Sequence, residues 1–109
     1  MSATTLSTHI LDTALGVPAA GIRVRLLRGS EPLGEGVTDA DGRVKAFGAA
    51  TLGAGSYTLV FDVAAYFAQA KRESFYREIS VAFEIVDGRG HHHVPLLLSP
   101  FGYSTYRGS

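Results

Sequence analysis

The chain has 109 residues, 46% of them hydrophobic, and its ten basic and ten acidic side chains cancel to a formal net charge of zero. That balance argues against a disordered tail and against an electrostatic nucleic-acid footprint, and the length holds one domain, residues 1–109. With no cysteine there is neither a disulfide framework nor a thiol nucleophile, and no apolar run reaches the length of a membrane span.

In chain order, "TLSTHILDT" alternates, with Leu6, Thr8 and Ile10 on one face and Ser7, His9 and Leu11 on the other, which predicts a first strand. "ALGVPAAG" is turn chemistry, and "IRVRLLRG" predicts a second strand, Ile22, Val24 and Leu26 inward, paired with the first. The stretch "SEPLGEGVTDADGRVKAF" predicts a weaker strand ending near Thr38, a turn at Asp41-Gly42 and another strand from Arg43. "SYTLVFD" follows as a strand after a glycine-rich loop. The period then changes: Val63, Tyr66, Phe67 and Ala70 fall on one helical face, with Asp62 placed to cap the start and Lys71-Arg72 placed at the end of the dipole. "FYREISVAFEIV" returns to period two, and "HHHVPLLL" and "GYSTYR" supply the last two strands, with Pro95 expected at an edge or a bulge. About eight short strands and one helix predict an all-β sandwich.

The groups able to do chemistry are His9, Arg43, His91 to His93 and the terminal Tyr106-Arg107-Gly108-Ser109. Strand alternation sets His91 and His93 on one face and His92 on the other with Val94 and Leu96. The bland reading is a polar outer surface with a frayed terminus. A sharper one is a zinc site, His9 joining the His-x-His pair, although no carboxylate or cysteine stands at a supporting spacing. No G-x-S-x-G elbow or phosphate-cradling loop is present.

The blocks "LSTHILDTALGVPAAGIRVRL", "TDADGRV", "FDVAAYFAQA", "FYREISVAFEI" and above all "HVPLLLSPFGYSTYRGS" resemble, in the same order, the transthyretin-related proteins, and among them the 5-hydroxyisourate hydrolases. The likeness runs from about Leu6 to Ser109. The closing Tyr-Arg-Gly-Ser is the ending that separates those hydrolases from the thyroid-hormone carriers of the same fold. The resemblance implies a sandwich of two four-stranded sheets with one short helix. It also implies hydrolysis of 5-hydroxyisourate without metal or other cofactor, in a homotetramer, a dimer of dimers whose central channel holds the sites.

Carried onto this chain, the catalytic set falls on His9, Arg43, His93 and Ser109, with Tyr106 and Arg43 binding substrate. The terminal carboxylate of Ser109 is then expected to line the site. One departure is His92, where the family usually has tyrosine; facing away from His93, it should touch packing or a subunit contact rather than substrate. A carrier of an apolar ligand is the competing expectation, against which the polar His9, Arg43 and His93 argue. Nothing near Met1 resembles an export signal, and a cytoplasmic protein without membrane or nucleic-acid partners is expected.

Overall fold

The alternation read in the first stretch is realised in β1 (Thr5–Asp12), where Leu6, Thr8 and Ile10 are buried and Ser7, His9 and Leu11 are half-buried on the outer face. The computed structural model describes residues 4–48 and 52–108. Its other strands are β2 (Val17–Pro18), β3 (Arg23–Arg28), β4 (Glu31–Val37), β5 (Arg43–Val44), β6 (Gly55–Phe61), β7 (Ile79–Ile85), β8 (His91–Ser99) and β9 (Gly102–Thr105). The helix α1 (Val63–Gln69) connects β6 to β7.

The strands form two sheets. One has the order β4-β3-β6-β7, with every neighbour antiparallel. The other has the order β2-β1-β8-β9, and β5 also pairs with β1. Because β8 occupies one edge of β1 along its whole length, the two-residue strands β2 and β5 share the opposite edge in succession. The sandwich of two sheets and one short helix is as expected. Its core joins Leu6, Ile10 and Leu96 of one sheet to Val24, Leu26 and Leu59 of the other. Burying each such side chain stabilises the fold by about 1.5–3 kcal/mol.

The expected pairing of the first two long strands does not form. β3 lies in the other sheet between β4 and β6, while β1 takes β8 as a parallel partner from Thr5↔His91 to Asp12↔Leu98. The cause is the apolar run of β8, which buries Val94, Pro95, Leu96 and Leu98 and so demands a central position. Thr8, fully buried beside it, donates its hydroxyl to the Val94 carbonyl.

Pro95 is likewise at neither an edge nor a bulge. It sits in central β8, and its carbonyl accepts the Thr105 hydroxyl at 2.7 Å. The carbonyl of His93, two residues earlier, also points to that side, so the missing N–H of Pro95 faces β9. There the ladder stops at Leu96↔Thr105 and resumes only at the isolated bridge His93↔Gly108.

The helix matches its predicted face, with Val63 and Phe67 buried, but not its predicted ends. Asp62 occupies the N-cap position with no side-chain capping bond, and the helix stops at Gln69, before Lys71 and Arg72. Arg72 instead reaches back to Asp12 at the end of β1, at 2.7 Å.

Candidate active site

Arg43 is placed by its turn. One carboxylate oxygen of Asp39 accepts the backbone N–H groups of Asp41 (2.9 Å) and Arg43 (3.0 Å). The bond from Arg43 contributes most to holding that carboxyl below its usual pKa. Gly42, at φ +74°, docks the turn onto β1: its carbonyl accepts the Ile10 N–H at 2.8 Å, and a Cβ there would stand 2.5 Å from the Ile10 carbonyl oxygen. Only glycine satisfies both the dihedral and the approach. As a result Arg43 is the direct cross-strand partner of His9.

The parallel β1–β8 ladder delivers the other imidazoles. It sets Ser7 beside His93 and Thr5 beside His91, all on the outward face that carries His9. Ser7 Oγ lies 2.7 Å from His93 Nδ1 and 2.8 Å from His91 Nε2, while Thr5 Oγ1 lies 2.5 Å from His91 Nδ1. The two rings are nearly parallel, with centroids 6.4 Å apart at 21°. Burial first, then the charge of Arg43 and electrostatic repulsion from the neighbouring imidazoles of His91 and His9, push the His93 pKa below its ordinary 6.5, against an opposing hydrogen bond at Ser7. His93 is therefore a neutral imidazole at neutral pH, with Nδ1 engaged and Nε2 free to accept a proton.

The tail returns to this face. Gly108 N–H donates to the His93 carbonyl at 2.8 Å, and a Cβ on Gly108 would come within 2.5 Å of His93 Cδ2. Glycine thus lets the backbone lie against the imidazole. Tyr106 is exposed and shares with His93 a cleft of about 360 Å³, walled chiefly by Val81, Phe83, His92 and Val94. The cleft is mostly apolar and is not lined by His9 or Arg43, so it meets the polar cluster only through His93.

The fold thus unites His9, Arg43 and His93 on one outward face and brings Tyr106 beside His93; Ser109 lies outside the described residues. His92 points inward as alternation predicts. It is buried, its Nε2 accepts the Val86 N–H and its Nδ1 meets the Gly90 carbonyl, each at 3.2 Å. Two polar neighbours stand outside the catalytic set that the sequence suggests: Ser7, and His91, which enters there only as a zinc ligand. The alternation that placed them on the outer face was a signal, but their convergence with His93 needs the β1–β8 pairing. Among the described residues no three His, Asp or Glu side chains converge as metal ligands, and both nitrogens of His91 and Nδ1 of His93 face Ser7 and Thr5 instead.

Residues 6–108 match the model of the HIUase/Transthyretin family. The chain is 45% identical to the 5-hydroxyisourate hydrolase of Deinococcus radiodurans, over 95% of each protein. It superposes on the Klebsiella pneumoniae 5-hydroxyisourate hydrolase with a TM-score of 0.90 and 49% identity, covering 97% of this chain and 100% of that one. Sea bream transthyretin in complex with thyroxine is similar at a TM-score of 0.87 and 31% identity, over 95% and 94% of the two chains. The chain belongs to the HIUase/Transthyretin family.

Proposed function

We propose that this protein is a 5-hydroxyisourate hydrolase, opening the six-membered ring of its substrate at the amide bond to give 2-oxo-4-hydroxy-4-carboxy-5-ureidoimidazoline in urate degradation. The observation that carries the reading is the meeting of His9, Arg43 and the neutral His93 on one face. The hydrolases at 45% and 49% identity support it.

In this mechanism His93 Nε2 accepts a proton from water as that water attacks the ring carbonyl, a contribution on the order of 10²–10⁴-fold. Arg43 presents its planar fork to the flat, polar substrate and stabilises charge developing on the carbonyl oxygen. His9, held beside Arg43, stands on the same face to hydrogen-bond substrate or water. Tyr106 forms part of the wall. Ser109 contributes its hydroxyl to orienting an imidazole or the water. The chemistry proposed for these groups calls on no cofactor.

The working form in this reading is a homotetramer, a dimer of dimers. Its support is that the polar face is open in a single chain, whereas a site for a small substrate encloses most of its ligand. No described helix is long and apolar enough to cross a membrane. A cytoplasmic location is part of the same proposal.

The test generates 5-hydroxyisourate in situ with urate oxidase and follows its ultraviolet decay with the purified protein in the presence of a chelator. Fast decay that collapses in His93→Ala is the expected result. Decay at the spontaneous rate by the wild type, together with saturable thyroxine binding, would turn the assignment to a ligand carrier of the transthyretin kind.

A further inference from the structure

The Thr5–His91–Ser7–His93 chain has more order in it than a polar surface requires. Ser7 carries one hydroxyl hydrogen and meets two imidazole nitrogens at 2.7 and 2.8 Å. It can donate to only one and must accept from the other. If His93 Nδ1–H donates to Ser7 Oγ, the serine hydrogen goes to His91 Nε2, and His91 must carry its own proton on Nδ1, directed at Thr5 Oγ1. If Ser7 donates to His93 instead, every bond in the row reverses. The tautomers of His91 and His93 are thereby locked to each other. The first arrangement leaves His93 Nε2 bare, a base; the second places a hydrogen there, an acid.

We infer that Ser7 and His91 are positioning residues forming a proton path from His93 to solvent, so that His93 works as base and then acid without holding a positive charge. The inference rests on the reading of His93 as the general base. In the addition step Nε2 takes a proton from water while Nδ1 gives one to Ser7 Oγ. Ser7 passes its own hydrogen to His91 Nε2, His91 passes its Nδ1 proton to Thr5 Oγ1, and the threonine hydrogen leaves to solvent. The hydroxide formed adds to the carbonyl carbon. When the carbon–nitrogen bond breaks, Nε2–H protonates the departing nitrogen and the row reverses, drawing one proton back from solvent through Thr5. One proton goes out and one comes in, so the cycle balances.

The surroundings explain why such a path matters. A cationic His93 would stand among Arg43, His9 and His91 in a half-buried place. Arg89 and Arg107 line a further cleft with His91, adding positive charge on that side. Glu84, Arg89, His92, Tyr106 and Arg107 are the other titratable groups lining the cleft with His93. His91 itself is exposed, so the outer end of the row is open to water.

The experiment compares wild type, Ser7→Ala, His91→Phe and His93→Ala in the urate-oxidase-coupled assay, at low buffer and with added imidazole. Circular dichroism checks folding, and Ser7→Thr serves as the hydroxyl-retaining control. Ser7→Ala and His91→Phe are each expected to lose roughly tenfold or more in kcat with KM little changed, and to recover several-fold with imidazole, which removes the stranded proton directly. Ser7→Thr should keep most of the rate. Wild-type turnover in either Ser7→Ala or His91→Phe, with His93→Ala collapsed, overturns the path and leaves the hydrolase reading intact. So does a loss that imidazole does not relieve. Full activity in His93→Ala removes the general-base reading and the path with it.

Discussion

A half-buried imidazole beside Arg43, His91 and His9 resists protonation, and this fixes the pH behaviour expected of the site. The neutral form of His93 persists below the ordinary imidazole pKa, so the acidic limb of the kcat/KM profile is expected below 6.5. Measuring initial rates between about pH 5 and 8 checks this, and a limb at or above 6.5 would mean that another group, or a differently placed His93, is the base. Stability follows the same sign. The folded state disfavours the imidazolium, so the contribution from His93 is present above 6.5 and is lost as pH falls through its lower folded value. The sequence made the residue legible but not its electrostatics. Alternation separates His93 from His92, whereas the depressed pKa depends on Arg43, reached through the Gly42 turn, and on burial that only the assembled sheet supplies.

At the scale of elements, Asp12 decides how the end of β1 meets the helix. Its side chain is fully buried, accepts Tyr66 O–H at 2.8 Å and Arg72 at 2.7 Å, and takes the backbone N–H groups of Ala14 and Leu15 at 3.1 Å each. Burial alone would raise its pKa, but the bonds from Arg72, Tyr66 and Leu15, with the Arg72 charge, hold it below its ordinary 3.8. Asp12→Asn leaves Arg72 and this nest without their anion and is expected to lose about 3–5 kcal/mol in denaturant unfolding. A loss below about 1 kcal/mol would show the pair to be dispensable. By the sign of its shift, the stabilisation from Asp12 is present above pH 3.8 and lost as pH falls through the lower folded value. The same pair explains why Arg72 does not complement the C-terminal end of the helix. A basic residue at a helix C-terminus gains only about 0.3–1 kcal/mol from the dipole, less than a buried carboxylate offers, so Arg72 serves Asp12. The period of α1 is a local property and was legible; the partner of Arg72, just past its C-terminal end, lies on a strand 60 residues away in sequence.

For the whole molecule the sequence told which residues face in, but not which strands are neighbours, because two strands with buried alternate faces pair equally well until the core chooses. That choice leaves β9 and β7 as edges of their two sheets, with the apolar cleft of Val81, Phe83 and Val94 open between them. It also leaves half-buried His9 and exposed Arg43 on the outward face of β1 and β5. Unpaired edges invite strand pairing with a second copy, and a polar face with too little concavity to hold a substrate invites a matching face across a two-fold axis. In the proposed dimer of dimers the first contact extends the sheets and the second closes the site, so activity should depend on assembly. Light scattering at assay concentration is expected to give about four times the chain mass of 11.6 kDa. Dilution until smaller species predominate should reduce specific activity in step with the loss of that mass. A chain of monomer mass with full turnover would show that one face is sufficient and would remove assembly from the mechanism.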